Sequence, residues 1–130
     1  MKNLFILTLL FSINMFSQQE ELIGKWIYSE QKTIASLKEF QKNNDLQNEE
    51  LDEISNNFKK IQPYIILNSN SNCEMLIIQN LKKGTFSIKE SSIIMIIGKA
   101  KKQVLLKIQK NKTELKLQPE GIFPIYFKKE

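Results

Sequence analysis

The side chains that most often carry chemistry are scarce in this chain, and the shortage is informative. There is no histidine and no arginine, and all 19 basic residues are lysine. Without histidine, no side chain has an ordinary pKa close to neutrality. Without arginine, there is no planar fork to grip a carboxylate or phosphate at two points. Cys73 is the single cysteine, which rules out an intrachain disulfide and a Cys/His metal cage. No metal or cofactor is expected. The two aspartates, Asp45 and Asp52, fall in one acidic, helix-patterned segment, and Glu90, Glu114 and Glu120 are scattered later in the chain. No carboxylate pair for acid–base hydrolysis is recognisable among them, and on this inventory the chain is not read as an enzyme. Cys73 alternates with Met75 and Ile77 on one strand face, which argues for a buried, inert thiol rather than a reactive one.

Binding is the chemistry that remains. Met75, Ile77, Phe86, Phe123, Phe127 and Tyr126 are candidates for the inside of a small barrel. There they either line a pocket for a small apolar or amphipathic molecule or fill the core. Eight strands enclose a space just wide enough for side chains or one small ligand, so both readings stand. Trp26 is read as a residue that fixes the fold by burying a large ring, ahead of one that stacks on a ligand.

Several elements must position these residues. Leu22 to Tyr28 alternates, with Leu22, Gly24, Trp26 and Tyr28 on one face, and predicts a first strand. The period then changes. Ile34, Leu37 and Phe40 recur at helical spacing up to the break at Asn43-Asn44-Asp45. Asn48 reads as an N-cap followed by Glu49 and Glu50. Leu51, Ile54, Phe58 and Ile61 form a 3-4-3 stripe, Lys59 and Lys60 sit in the last turn, and Pro63 stops the helix. This helical hairpin, about residues 30–62, is the candidate lid, either gating a barrel mouth or plugging it.

From Tyr64 onward the pattern is all strand. The segments run 64–68, 73–79, 85–89, 93–97, 102–109, 113–117 and 122–128, with Gly84 taken as part of a break and Pro119-Glu120-Gly121 as a turn. With the first strand that makes eight, and regularly spaced short strands predict an up-and-down barrel.

The N-terminus reads as a secretory signal. A short basic start, Met1-Lys2-Asn3, precedes a mostly apolar run from Leu4, and the expected cut lies near Ser17. About 13 apolar-biased residues fall short of the ~20 that span a bilayer. No cysteine stands at the cut, so a lipoprotein is not expected. The domain is then 18–130, secreted or periplasmic, with no transmembrane segment. The net charge of +5 is unevenly placed: residues 82–130 hold 12 lysines against 4 acids, whereas 18–63 hold 6 lysines against 9 acids. The late lysines are read as protection of exposed strand edges. A basic outer face for a polyanion is the other reading. The lack of arginine argues against nucleic acid as the partner.

Leu22-Ile23-Gly24-Lys25-Trp26, a helical insert, the strands around Phe86, Ile93–Ile96, Val104–Ile108 and Leu115–Leu117, and the closing Ile125-Tyr126-Phe127-Lys128-Lys129 together resemble the calycin group, and within it the small bacterial lipocalin-like domain proteins. A leader ending Phe-Ser-Gln resembles those of Bacteroidetes. The resemblance implies a lipocalin-like barrel whose Gly-x-Trp tryptophan closes the floor, commonly under an arginine from the last strand. With no arginine here, either Lys128 or Lys129 stands in for it or the contact is absent. Fatty-acid-binding proteins are similar in placing a helix-turn-helix after the first strand, but hold their ligand with an Arg-x-Tyr. This chain has Pro124-Ile125-Tyr126 at the corresponding place, so Tyr126 remains without the arginine.

Overall fold

Strand alternation closes this chain on itself. The computed structural model describes residues 20–77, 80–110, 112–118 and 123–130. The leader, the 119–121 turn, residues 78–79 at the end of one expected strand and Ile122 at the start of another lie outside them. The fold is mainly β, a closed eight-stranded antiparallel barrel in which each strand pairs with its neighbours in sequence and β8 returns to β1. In chain order the elements are β1 (Gly24–Tyr28), α1 (Glu30–Asn44), α2 (Asn48–Ile61), β2 (Tyr64–Leu67), β3 (Asn72–Leu76), β4 (Lys82–Lys89), β5 (Ser92–Ile97), β6 (Lys102–Gln109), β7 (Glu114–Leu117) and β8 (Ile125–Lys129).

Closure changes the meaning of the late lysines. A closed barrel has no free edge to protect, and β4, β5 and β6 are each paired on both sides. Edge protection is therefore not their role.

Each strand sends alternate side chains inward. Trp26, Ile65, Ile93, Met95, Leu106, Leu115 and Phe127 are fully buried, and Tyr28, Leu67, Cys73, Met75, Phe86, Ile97, Leu117 and Ile125 nearly so. Gly84 is not in a break but inside β4, opposite Ile97. A Cβ there would lie 1.9 Å from the Ile96 carbonyl oxygen, so β5 backbone occupies the space any larger residue needs. The first strand begins at Gly24 rather than Leu22, because residues 20–22 form a helical turn.

The helices follow their local signals with two departures. α1 carries Glu30 in its first turn and Lys42 in its last, and ends where Asp45 turns left-handed at φ 52°. α2 has Glu49 and Glu50 first and Lys59 and Lys60 last, and ends at left-handed Gln62, directly before Pro63. Both arrangements suit the helix dipole. Asn48 is not the cap but the first helical residue, with Gln47 ahead of it. Its side-chain oxygen instead accepts a hydrogen bond from Gln41 Nε2 at 2.7 Å, joining the two helices. On α1 the buried face runs through Thr33 and Leu37 to half-buried Phe40, and Ile34 sits outside it. Among the described residues no helix is long and apolar enough to cross a membrane.

Candidate functional site

Four places on the barrel bring together residues that could act: its two ends, its interior and its outer lysine-rich face. At one end the helical hairpin is fastened by aromatic rings. Phe58 of α2 lies 5.5 Å from Tyr28 and 5.8 Å from Phe123, centroid to centroid, and Phe123 lies 6.0 Å from Phe40 of α1. Leu51 is buried, and Ile54 and Phe58 pack half-buried against the core. Ile61, the fourth residue of the expected stripe, is half-exposed and outside that cluster.

Backbone bonds hold the hairpin's feet. Ser29 N donates to Tyr126 O at 2.8 Å, Tyr28 N donates to Pro63 O at 3.0 Å, and Tyr126 N donates to the buried Thr33 Oγ1 at 3.0 Å. Burial pushes the Tyr28 hydroxyl pKa up, and the nearby Glu30 adds to it, against a hydrogen bond with Thr33. These contacts hold the hairpin against this end of the barrel.

At the other end Gly24 and Trp26 build a floor. Trp26 is fully buried, and its Nε1 donates to the Leu22 carbonyl at 2.9 Å. The Lys129 ammonium sits 5.9 Å from the Trp26 ring centre and donates to the Glu21 carbonyl. Gly24 has φ +133°, and a Cβ there would meet Lys129 Cε at 3.3 Å. The glycine thus supplies both a backbone angle few residues adopt and the gap through which the lysine stem crosses. Leu22, fully buried, covers the same end. Beside it lies an open hollow of 240 Å³, with Leu22, Ile88 and Ile108 at its base and Glu90, Lys110 and Lys112 among its rim.

The expected interior residues divide. Met75, Phe86, Phe123 and Phe127 are buried in the core and Ile77 is half-buried against it. Tyr126 is not an interior residue. Alternation along β8 turns Ile125 and Phe127 inward and Tyr126 outward, where its ring lies between Lys32 at 5.7 Å and Lys116 at 5.9 Å. Cys73 is 1% exposed, and burial pushes its thiol pKa up, with a backbone hydrogen bond from Gly84 opposing. That is the environment of an inert sulfur.

A cluster that sequence reasoning missed surrounds Glu114, a nearly buried carboxylate. The Lys32 ammonium reaches it from 82 positions away, 2.6 Å from Oε1 and 2.8 Å from Oε2. The bond to Glu114 raises the Lys32 pKa, and Lys32 in turn lowers that of Lys110. Among the described residues no three His, Cys, Asp or Glu side chains converge as metal ligands.

On the outside of β4, β5 and β6 the register sets up three cross-strand rows. Thr85, Ile96 and Gln103 form one, and Ser87, Ile94 and Leu105 the next. Lys89, Ser92, Lys107 and Lys116 form the third, continued onto β7. Searches of protein-family models, curated proteins and solved structures return no match to this chain.

Proposed function

We propose that this is a secreted, lipocalin-like barrel of the bacterial cell envelope that acts through its outer surface, its interior being occupied by its own side chains. The carrying observation is the packing of that interior: residues from all eight strands meet inside with little or no exposure, from Trp26 and Ile65 to Leu115 and Phe127. A barrel of this size can be filled by side chains alone. The lipocalin-like part of the reading is supported by the Gly24-x-Trp26 floor with Lys129 over the ring and by the helical hairpin that leaves β1 and re-enters at β2. Export, with the leader cut near Ser17, rests on the sequence of that leader. The chain acts by binding rather than by catalysis.

Native mass spectrometry of protein taken from its own periplasm or culture medium, followed by solvent extraction, tests this. A clean apo mass is the expected result. A small molecule carried at one per chain overturns it.

That second outcome has its own motivation in the hollow beside Leu22. Its aliphatic base and charged rim suit a small amphipathic molecule, with Lys110 as the rim cation, Lys112 being paired with Glu21 at 2.8 Å and Glu90 sharing the rim. At 240 Å³ the hollow is smaller than the ~300–1,000 Å³ of most ligand sites. The larger hollows of 730 and 690 Å³ are open grooves beside α1 rather than parts of the barrel interior, so the packing of that interior decides for the surface-acting reading.

A further inference from the structure

We propose that the outer face of β4, β5 and β6 docks on an anionic phospholipid surface. This deepens the surface-acting reading and rests on it. Ile96 and Leu105 are 45% and 46% exposed on neighbouring strands, with half-buried Ile94 beside them. Lys89, Lys107 and Lys116 run in one row along one side of this aliphatic strip. Lys83 stands at the other side, where β4 begins, with the outward parity of Thr85 and Ser87.

The lysine row is costly to the fold. Lys107 and Lys116 are direct cross-strand partners, and like charges placed opposite each other destabilise a sheet. Among the described residues, Lys89, Lys107 and Lys116 make no ion pair, and Lys83 reaches Glu74 only at 4.0 Å. With the barrel closed, these lysines guard no edge. A face that is aliphatic in the middle, bordered by a lysine row on one side and by Lys83 on the other, and poor in acids is complementary to an apolar, negatively charged surface.

The chemistry of the face favours lipid over protein. Protein interfaces draw their energy from tryptophan, tyrosine and arginine seated in pockets. The strip offers aliphatic side chains on the convex outside of a barrel. A lipid interface demands no shape match. Aliphatic tips enter the headgroup region while lysine stems lie along it and their ammonium groups meet phosphates. A second copy of the chain is a poorer occupant. The exposed acids of α2, Glu49, Glu50, Asp52 and Glu53, have the opposite charge but bring no apolar side chain to cover Ile96 and Leu105.

Co-flotation of the purified protein with vesicles tests the proposal. It should float with phosphatidylcholine vesicles containing about a third phosphatidylglycerol, stay behind with pure phosphatidylcholine, and detach in high salt, since surface charge attraction is screened. The pair Lys89→Glu and Lys107→Glu, and separately Ile96→Ser with Leu105→Ser, should each weaken flotation by about tenfold or more while leaving the urea midpoint close to that of the parent. Failure to float, equal flotation on neutral vesicles, or indifference to both pairs of substitutions overturns the proposal. So does self-association in sedimentation equilibrium that the same substitutions abolish, which would make the face a protein interface. The apo mass in native spectrometry is read independently: an apo protein that does not float defeats the lipid proposal alone, whereas a chain carrying a stoichiometric ligand defeats the filled-barrel reading beneath it.

Discussion

Truncating Leu106 to alanine measures how full the barrel is. Leu106 is fully buried on β6, facing Ile93 on one side and Leu117 on the other in cross-strand register. The change removes roughly three methylene equivalents, and at ~0.8 kcal/mol each their transfer to water accounts for ~2.4 kcal/mol. The neighbours are held by ladders on both sides and cannot collapse fully onto the gap. A residual void of ~60 Å³ at ~24 cal/mol per Å³ adds ~1.4 kcal/mol. The expected loss is therefore ~4 kcal/mol. With an m-value of ~1.5–2 kcal/mol per molar urea, the midpoint falls by roughly 2 M. Urea titration followed by the fluorescence of Trp26, the single tryptophan, reads this directly. Leu105→Ala is the internal control: the neighbouring residue is 46% exposed on the outside, and its loss should stay within ~0.5 kcal/mol. If Leu106→Ala costs less than ~1 kcal/mol, or no more than Leu105→Ala, the side chain was bordering an open cavity and the filled-barrel argument fails.

Three further outcomes follow from the geometry. Trp26→Phe removes the bond to the Leu22 carbonyl and part of a fully buried ring, and should cost ~2–4 kcal/mol by urea unfolding followed by circular dichroism; a cost under ~1 kcal/mol would mean the floor is not a structural keystone. Gly84→Ala drives a methyl into the Ile96 carbonyl and should cost at least ~3 kcal/mol or abolish soluble expression, whereas Gly98→Ala meets nothing within 4 Å and, at φ +78°, should cost only ~1 kcal/mol; equal melting temperatures for the two variants would contradict this. The Lys32–Glu114 pair raises the Lys32 pKa, so its contribution is intact below the ordinary lysine value of ~10.4, where lysine is charged in both folded and unfolded chains, and is lost as the pH climbs through the higher folded-state value; Glu114→Gln should remove that alkaline component of the stability curve, and superimposable curves for the two proteins would count against the pairing.

Strands with strict alternation were readable residue by residue. Val104, Leu106 and Ile108 pointed to one face of β6, and the apolar run at Ile93 to Ile97 to β5. α2 is legible from charge at its ends and from the stop at Pro63, and α1 from the spacing of Ile34, Leu37 and Phe40 up to the break at Asn43-Asn44-Asp45. The buried face of α1 was less so: the apolar rule chose Ile34, but Thr33 is the buried residue because its hydroxyl serves the backbone of β8, a partner 93 positions away. The ligand-binding pattern that Tyr126 resembles points it inward, but simple alternation with Ile125 and Phe127 turns it outward. Glu114 and Lys32 could not be paired from sequence, since nothing local links β7 to α1. The lysines of β4 to β6 look like edge protection in the sequence and are not, because an edge is a property of the whole sheet. Whether Lys89, Lys107 and Lys116 flank an open edge or a continuous wall depends on what β1 and β8 do at the opposite ends of the chain.

The seam between β1 and β8 also has a consequence in time. Trp26 pairs with Lys129, so the first strand waits for nearly the last residue before its second neighbour exists. However the chain is delivered, from a ribosome or through a membrane channel, it arrives from one end. Seven strands can be present while the sheet is still a ribbon with two bare margins. The cost of closing so long a loop grows only slowly with its length, but contacts this distant in sequence form late and leave the margins open meanwhile. A chain ending six residues sooner would lack β8 altogether. It would keep the helices and most of the strands, yet remain an open sheet with the Trp26 floor unmade.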